Sequence, residues 1–367
     1  MYRLIRPLLF RLDAERSHRL VLSVLRWICL VPGIPWLLTQ LYRVKSPALE
    51  TQVMGIRFSN PVCLAAGLDK NAECVRPLFT LGFGGIELGT VTPDPQPGNP
   101  PKRLFRLPRH HALINRLGFP SVGLEAFMEN LQRAGKPGPL GVNIGKNRNT
   151  SNDHAADDYL RAFRAVYAVA DYIVVNVSSP NTPQLRALQD REKLSALLTS
   201  LKNEQVELGK TRRVFVPIAV KISPDLTDDE INDIADLVLE VKLDAVVATN
   251  TTVDRPGLDG ELLAAETGGL SGAPLKARST EVIRLLYHRL QGQVPIIGVG
   301  GIENANDAWE KLVAGADLLQ VYSGFIYGGP GLARRICRGL LRRTRAAGCD
   351  TLSEAVAQAR SGVRMMR

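Results

Sequence analysis

The densest chemistry in the chain lies where the apolar run Ile173-Val-Val175 gives way to Asn176-Val-Ser-Ser-Pro-Asn-Thr-Pro183. Carboxamides at Asn176 and Asn181 can donate and accept hydrogen bonds, the hydroxyls of Ser178, Ser179 and Thr182 can do both, and two prolines stiffen the loop. Two readings fit this segment taken alone. It is a polar strand exit whose Ser and Asn serve turns and caps, or an active site at the C-terminal edge of a strand, where α/β folds place their chemistry.

Lys221 is the second chemical residue. Within Pro217-Ile-Ala-Val-Lys-Ile222, alternation puts Ala219 and Lys221 on one face and Ile218, Val220 and Ile222 on the other. An interior lysine is costly unless an anion meets it, so Lys221 serves an anionic ligand or a structural ion pair. Glycine supplies the next signal. Thr267-Gly-Gly-Leu-Ser-Gly272 and Gly298-Val-Gly-Gly301, with Tyr322-Ser323, would expose backbone N–H groups that suit a phosphate, and Ala65-Ala-Gly67 is bare enough for a flat ring to lie against it. His110, His111, His154 and His288 have no metal-binding spacing, and the five cysteines form no C-x-x-C, so neither a metal site nor a disulfide framework is expected.

These groups must be positioned by regular elements. Short apolar runs occur at 61–66, 85–90, 140–145, 172–178, 217–222, 245–250, 295–300 and 318–323, with helix-like stretches between nearly all of them. Eight such units predict an α/β protein, a (β/α)₈ TIM barrel; a doubly wound open sheet is the alternative but does not need eight runs. In a barrel the strand ends converge on one rim. That rim would gather Gly67-Leu68-Asp69-Lys70, Thr90, Asn143, Asn176, Ser179, Asn181, Lys221, Thr249-Asn250-Thr251, Gly300-Gly301 and Tyr322-Ser323. Carboxamides, hydroxyls and two cations suit a polar planar ligand plus an anion.

The net charge of +10 raises the question of nucleic acid. Its distribution argues otherwise: residues 1–50 and 331–367 carry the excess and the body is nearly neutral. The first fifty residues read as two amphipathic helices, one with Ile5, Leu8, Leu9 and Leu12 on a face away from Arg3, Arg6 and Arg11, the other carrying His18, Leu22, Leu25 and Cys29 after a cap at Asp13. The uncharged stretch from Trp27 to Tyr42 is too short to span a bilayer and is broken by Pro32, Gly33 and Pro35. These helices either lie in a membrane surface or pack on the body; His18 on the apolar stripe reads first as a packing residue. The expected division is a helical segment at 1–46, a connector and hairpin leading into a barrel at 47–345, and a basic tail at 346–367 containing Arg360, Arg364 and Arg367, either disordered or a solvated helix.

Taken together, Ala65-Ala-Gly-Leu-Asp-Lys70, Gly89-Thr-Val-Thr-Pro93, Asn115-Arg-Leu-Gly-Phe119, the Asn176–Pro183 motif, Ala248-Thr-Asn-Thr251, Gly268-Gly-Leu-Ser-Gly272 and Gly298-Val-Gly-Gly301 resemble the motif set of the class 2, quinone-dependent, membrane-associated dihydroorotate dehydrogenases. The resemblance runs from about residue 1 to 340. It implies an FMN-bearing barrel that oxidises (S)-dihydroorotate to orotate in pyrimidine synthesis and passes the electrons to membrane quinone.

By that resemblance Ser179 is the base, at a position where soluble class 1 relatives use cysteine. Lys70, Asn115, Arg116, Leu117, Gly118, Phe119, Asn176, Asn181, Asn250 and Thr251 form the substrate site. Ala66, Gly67, Leu68, Asp69, Lys70, Thr90, Asn143, Asn176, Lys221, Thr249, Gly272, Gly301, Tyr322 and Ser323 hold FMN. His18, Arg106 and Tyr322 match quinone-site positions, and the amino-terminal helices form the quinone's entrance. A monomer on the cytoplasmic face of a bacterial inner membrane is implied, with no nucleic-acid partner. Departures are Gln184, where glycine is common, Pro120, and the tail beyond about residue 345. The rivals are another FMN barrel, including a class 1-like enzyme, and a non-enzymatic basic protein.

Overall fold

Alternation of side chains builds the centre of the molecule. A computed structural model describes residues 2–365; the side chains of Arg3 and Arg364 and all of Arg367, assigned above to a polar face and a basic tail, lie outside the described residues. Three helices come first: α1 (Tyr2–Arg11), α2 (Ala14–Ile28) and α3 (Ile34–Tyr42). A hairpin follows, β1 (Thr51–Val53) with β2 (Ile56–Phe58). The chain then runs β3 (Val62–Leu64), α4 (Val75–Phe79), β4 (Ile86–Val91), β5 (Leu104–Leu107), β6 (Ala112–Asn115), α5 (Gly123–Ala134), β7 (Leu140–Ile144) and α6 (Ala155–Val166). It continues through β8 (Tyr172–Asn176), α7 (Arg191–Arg212), β9 (Ile218–Ile222), α8 (Asp228–Glu240), β10 (Ala245–Ala248), β11 (Gly269–Gly272) and α9 (Lys276–Leu290). The last elements are β12 (Ile296–Val299), α10 (Ala305–Ala314), β13 (Leu318–Val321), α11 (Ser323–Gly328), α12 (Leu332–Ala346) and α13 (Leu352–Met365).

Eight parallel strands close in the order β3-β4-β7-β8-β9-β10-β12-β13 and back to β3, each falling on one of the eight predicted runs, with β4 running one residue beyond its own to Val91. Period two sorts their side chains. Val62, Leu64, Ile218, Val220 and Ile222 join the core between barrel and helices, whereas Cys63, Tyr172, Val174, Ala219, Val247 and Ile297 fill the interior with Val53 and Phe58 of the hairpin. The hairpin thus plugs the bottom, and chemistry is left to the top. Across the top lies a second sheet, β5-β6-β11, whose Asn115 pairs in register with Gly269.

Both ends of the chain differ from expectation. A third helix forms over Ile34–Tyr42 because Gly33, at φ 87°, turns the chain and Pro35 suits the first turn. The stretch expected as a disordered or solvated tail is instead α13, docked on the barrel: Leu352 and Val356 are buried in the main core, and the Arg360 guanidinium donates to the carbonyls of Leu312 and Ala316 and lies over the Tyr287 ring.

Candidate active site

One hydrogen-bonded network ties five barrel strands together at the centre of the rim. Asn176, the last residue of β8, donates from Nδ2 to Thr90 Oγ1 and Asn143 Oδ1, both at 3.0 Å, and accepts at Oδ1 from Asn250 Nδ2 at 3.2 Å. Thr90 donates to Asn143 Oδ1 at 2.5 Å. Beneath them Asn143 Nδ2 reaches Glu87 Oε1 at 2.8 Å, and Gln320 Nε2 reaches Glu87 Oε2 at 2.5 Å. The consequence is orientation: each carboxamide has its flip fixed by a neighbour.

Glu87 and Gln320 were not foreseen. Both are fully buried inside the barrel. Their signal, a polar residue inside an apolar strand, is the one that identified Lys221. Lys221 follows Ala219 on the interior face as alternation requires, and among the described residues its Nζ makes no hydrogen bond. Burial lowers its pKa, and the Glu87 carboxylate opposes that effect. Lys70 is held by burial, reinforced by Arg103, at a pKa of about 8, and donates to the Gly67 carbonyl.

The loop after β8 carries Ser179, which is 6% exposed and accepts from the Asn181 backbone N–H at 3.3 Å. Asn181 Nδ2 in turn donates to Asn115 Oδ1 at 3.0 Å, so the upper sheet and this loop meet. Three polar atoms here are buried with no hydrogen-bond partner among the described residues: Asn181 Oδ1, Thr182 Oγ1 and Thr251 Oγ1. Buried polar atoms are almost always satisfied, so these point to a ligand's hydrogen bonds.

Gln184 sits in the same loop at φ 54°, a left-handed conformation that glycine adopts freely. Gln184→Gly is therefore expected to leave Tm nearly unchanged, because relief of about 1 kcal/mol of strain opposes a similar entropy loss. Gln184→Val should cost about 1–2 kcal/mol, since branching at Cβ worsens that conformation. Calorimetry of the two variants checks both signs.

Across the rim, Gly272, Leu275, Gly300, Gly301 and Ser323 surround the start of α9. A Cβ at Gly301 would stand 2.4 Å from Lys276 Cβ, so only glycine permits this approach. These residues line the same cleft of about 970 Å³ as Ala66, Gly67, Lys70, Thr90, Asn115, Leu117, Gly118, Phe119, Asn176, Ser179, Asn181, Lys221, Thr249, Asn250, Thr251 and Tyr322. Asn143 lies behind it in the network. Asp69 turns away to accept the Glu73 and Cys74 backbone N–H groups, burial raising its pKa to about 6. Arg116 faces outward, paired with Glu266 at 2.5 Å and set over the Phe105 ring.

A second cleft, of about 1300 Å³, opens between α2 and the barrel. His18, Leu68, Lys70 and Tyr322 line it, and Gly67, Lys70, Leu117 and Tyr322 face both clefts. Arg106 stands outside these linings: its guanidinium donates to the carbonyls of Leu9 and Leu12 and covers the Phe10 ring. Arg103, at the cleft, forms a two-point pair with Glu15 at 3.0 and 2.8 Å. Sequence reading missed this pair, which clamps α2 to the start of β5 in the upper sheet.

Burial, reinforced by the Lys70 charge, lowers the His18 pKa to about 4. The neutral ring is the one that fits. Because the folded value lies below the unfolded one, stability is lost as pH falls from about 6.5 toward 4 while the unfolded chain takes up the proton. His18→Gln should flatten this part of the Tm-against-pH curve; a curve parallel to that of the unmodified protein would contradict it.

Bare glycyl backbone at one end of the cleft, carboxamides with Lys70 at the other and Lys221 in the interior suit a phosphate-bearing planar cofactor beside a small anionic substrate. The fold and site thus define a cofactor-binding barrel oxidoreductase. The family model for dihydroorotate dehydrogenase matches residues 48–344. The dihydroorotate dehydrogenase (quinone) of Vibrio cholerae is 51% identical over 340 residues, covering 93% of this chain and 100% of the relative. That of Klebsiella pneumoniae is 50% identical over 335 residues, covering 91% and 98%. Among solved structures, an Eimeria tenella DHODH in complex with ferulenol superposes with TM-score 0.86 at 40% identity over 94% of this chain and 95% of that one. The chain belongs to the dihydroorotate dehydrogenase family, in its quinone-dependent, FMN-bearing branch, whose reaction serves pyrimidine biosynthesis.

Proposed function

We propose that the cleft takes (S)-dihydroorotate against Ser179 and FMN against the glycine corner, and that a quinone enters through the second cleft beneath α2. The observation that supports this most directly is the pairing of Asn176 with Asn250 and of Asn115 with Asn181 around Ser179, with Lys70 on the same cleft. Four carboxamides present donors and acceptors to a pyrimidine ring edge, and the lysine meets its carboxylate.

FMN, when bound, accepts the electron pair that leaves C6 with its hydrogen. The protein handles the rest. Ser179 Oγ takes the C5 proton as the C5–C6 double bond of orotate forms. A serine hydroxyl is a weak base, so its own proton must leave, and Thr182 Oγ1, buried three residues on with no partner among the described residues, is suited to relay it by accepting that proton and passing its own hydroxyl proton on to water. Lys221 is the interior cation placed to balance negative charge gained by the cofactor. Ala66, Gly67, Thr90, Thr249, Gly272, Gly301 and Ser323 would hold the cofactor's ring and phosphate.

The amino-terminal helices support a membrane-surface role. Trp27 and Trp36 are 70% and 67% exposed, and Ile5, Leu8, Leu12, Leu30 and Leu37 are exposed with them. Among the described residues no helix is long and apolar enough to cross a membrane. An apolar face beside arginines suits the plane of an anionic bilayer, here the cytoplasmic face of a bacterial inner membrane, with the enzyme acting as a monomer. The deciding experiment is anaerobic titration of the purified protein with dihydroorotate. Bleaching of a yellow chromophore, restored by a quinone, is expected; a colourless protein or an unbleached flavin would refute the reading.

A further inference from the structure

Behind the glycine corner lies a lysine that no step above uses. Lys311, on α10, is 0% exposed. Its Nζ donates to Ser279 Oγ and Thr280 Oγ1, both at 2.8 Å, and to the Lys276 carbonyl at 3.2 Å. All three acceptors belong to the first five residues of α9. Ser279 Oγ also donates to the Val299 carbonyl at 2.6 Å, and a Cβ on the next residue, Gly300, would stand 2.7 Å from it. One hydroxyl therefore separates Lys311 from the backbone of the glycine corner.

Its surroundings leave the charge poorly compensated. Among the described residues Lys311 makes no ion pair, because Asp307 on its own helix is committed to Lys276 Nζ at 3.1 Å. Glu310 and Asp307 from α10 favour the ammonium, whereas Lys276 and Arg284 from α9 oppose it. Two arginines of the helices packed on α10 reach it at other points, Arg343 of α12 at Asn306 and Arg360 of α13 at the Leu312 carbonyl. Burial is the leading effect and brings the Lys311 pKa down to about 7. A buried cation held only by neutral dipoles is expensive unless an anion stands near.

We propose that Lys311 is the buried countercharge for the phosphate of the flavin cofactor, acting through the first turn of α9 without touching the ligand. It is a positioning residue, and the inference rests on the phosphate reading of the glycine corner. The sign of the pH effect follows. With pKa about 7 before loading, Lys311 loses its proton as pH rises, so the bound phosphate holds a proton there that free protein would release. Phosphate is a dianion across this range, its second pKa being about 6.

The test loads the protein with FMN or with riboflavin, which lacks the phosphate, and reads release of each on dilution by recovered flavin fluorescence between pH 7 and 9. The unmodified protein is expected to prefer FMN strongly, with the preference declining as pH rises. Lys311→Met should cut the preference about tenfold, the scale of one buried charge acting across several ångströms, and abolish its decline with pH. If the unmodified protein holds both flavins equally, the phosphate reading itself has failed. Should Lys311→Met weaken both flavins alike, Lys311 is a packing residue and the proposal is overturned. Were that variant to load neither flavin, the unmodified protein alone decides: a preference constant from pH 7 to 9 overturns the proposal.

Discussion

Ser179→Ala should slow reduction of the bound flavin by dihydroorotate about 10²- to 10⁴-fold, the range for removing a positioned general base. FMN content should not change. Among the described residues Ser179 Oγ makes one hydrogen bond, accepting the Asn181 N–H at 3.3 Å, so its loss removes little else that holds the loop. Stopped-flow absorbance under anaerobic conditions separates this step from quinone turnover. Replacement by cysteine distinguishes a base from a spacer: Ser179→Cys should retain part of the rate and move the pH profile toward the thiol's lower pKa. An alanine variant reducing its flavin at the unmodified rate would remove Ser179 from the chemistry.

The parts of this site that could be read from sequence share one physical property, a strong local period. The barrel strands alternate, so Lys221 could be assigned inward from Ala219 and Ile222 alone, and the eight runs placed Thr90, Asn143, Asn176 and Thr249 on one rim. Glu87 obeys the same rule. Its value, however, depends on Asn143 and Gln320, 56 and 233 residues away, and a long-range hydrogen bond leaves no local trace. Arg106 is a different case: the meeting of its guanidinium with the carbonyls of Leu9 and Leu12 depends on how α1 packs. Gly33 and Pro35 break the apolar stretch in sequence, yet a left-handed glycine followed by a proline also starts a helix, here α3. The docking of α13 rests on Arg360 finding carbonyls on α10, again a tertiary fact.

Deleting residues 2–42 should leave flavin reduction by dihydroorotate within about twofold while lowering quinone turnover roughly tenfold or more, as expected when a cleft loses a wall contributing at least 1.4 kcal/mol. The geometry separates the two halves of the reaction. Ser179, Asn176, Asn250 and Lys221 belong to barrel strands and their loops and line the first cleft, to whose lining α1–α3 contribute nothing among the described residues, whereas the second cleft is bounded on one side by Glu15, His18, Leu22 and Arg26 of α2. The deletion also uncovers surface where Leu22 and Leu25 pack on the core, and it breaks the Glu15–Arg103 pair, so the truncated protein needs detergent and its FMN absorbance must be checked first. Glu15→Gln is the milder companion. Its carboxylate is held below its ordinary pKa by the hydrogen bonds from Arg103, so the pairing is present above the unfolded value near 4.5 and is lost as pH falls through the lower folded one. Loss of that clamp should raise KM for quinone with little change in KM for dihydroorotate. A truncated enzyme that still turns over a long-chain quinone at full rate would show that the acceptor reaches the flavin by another route.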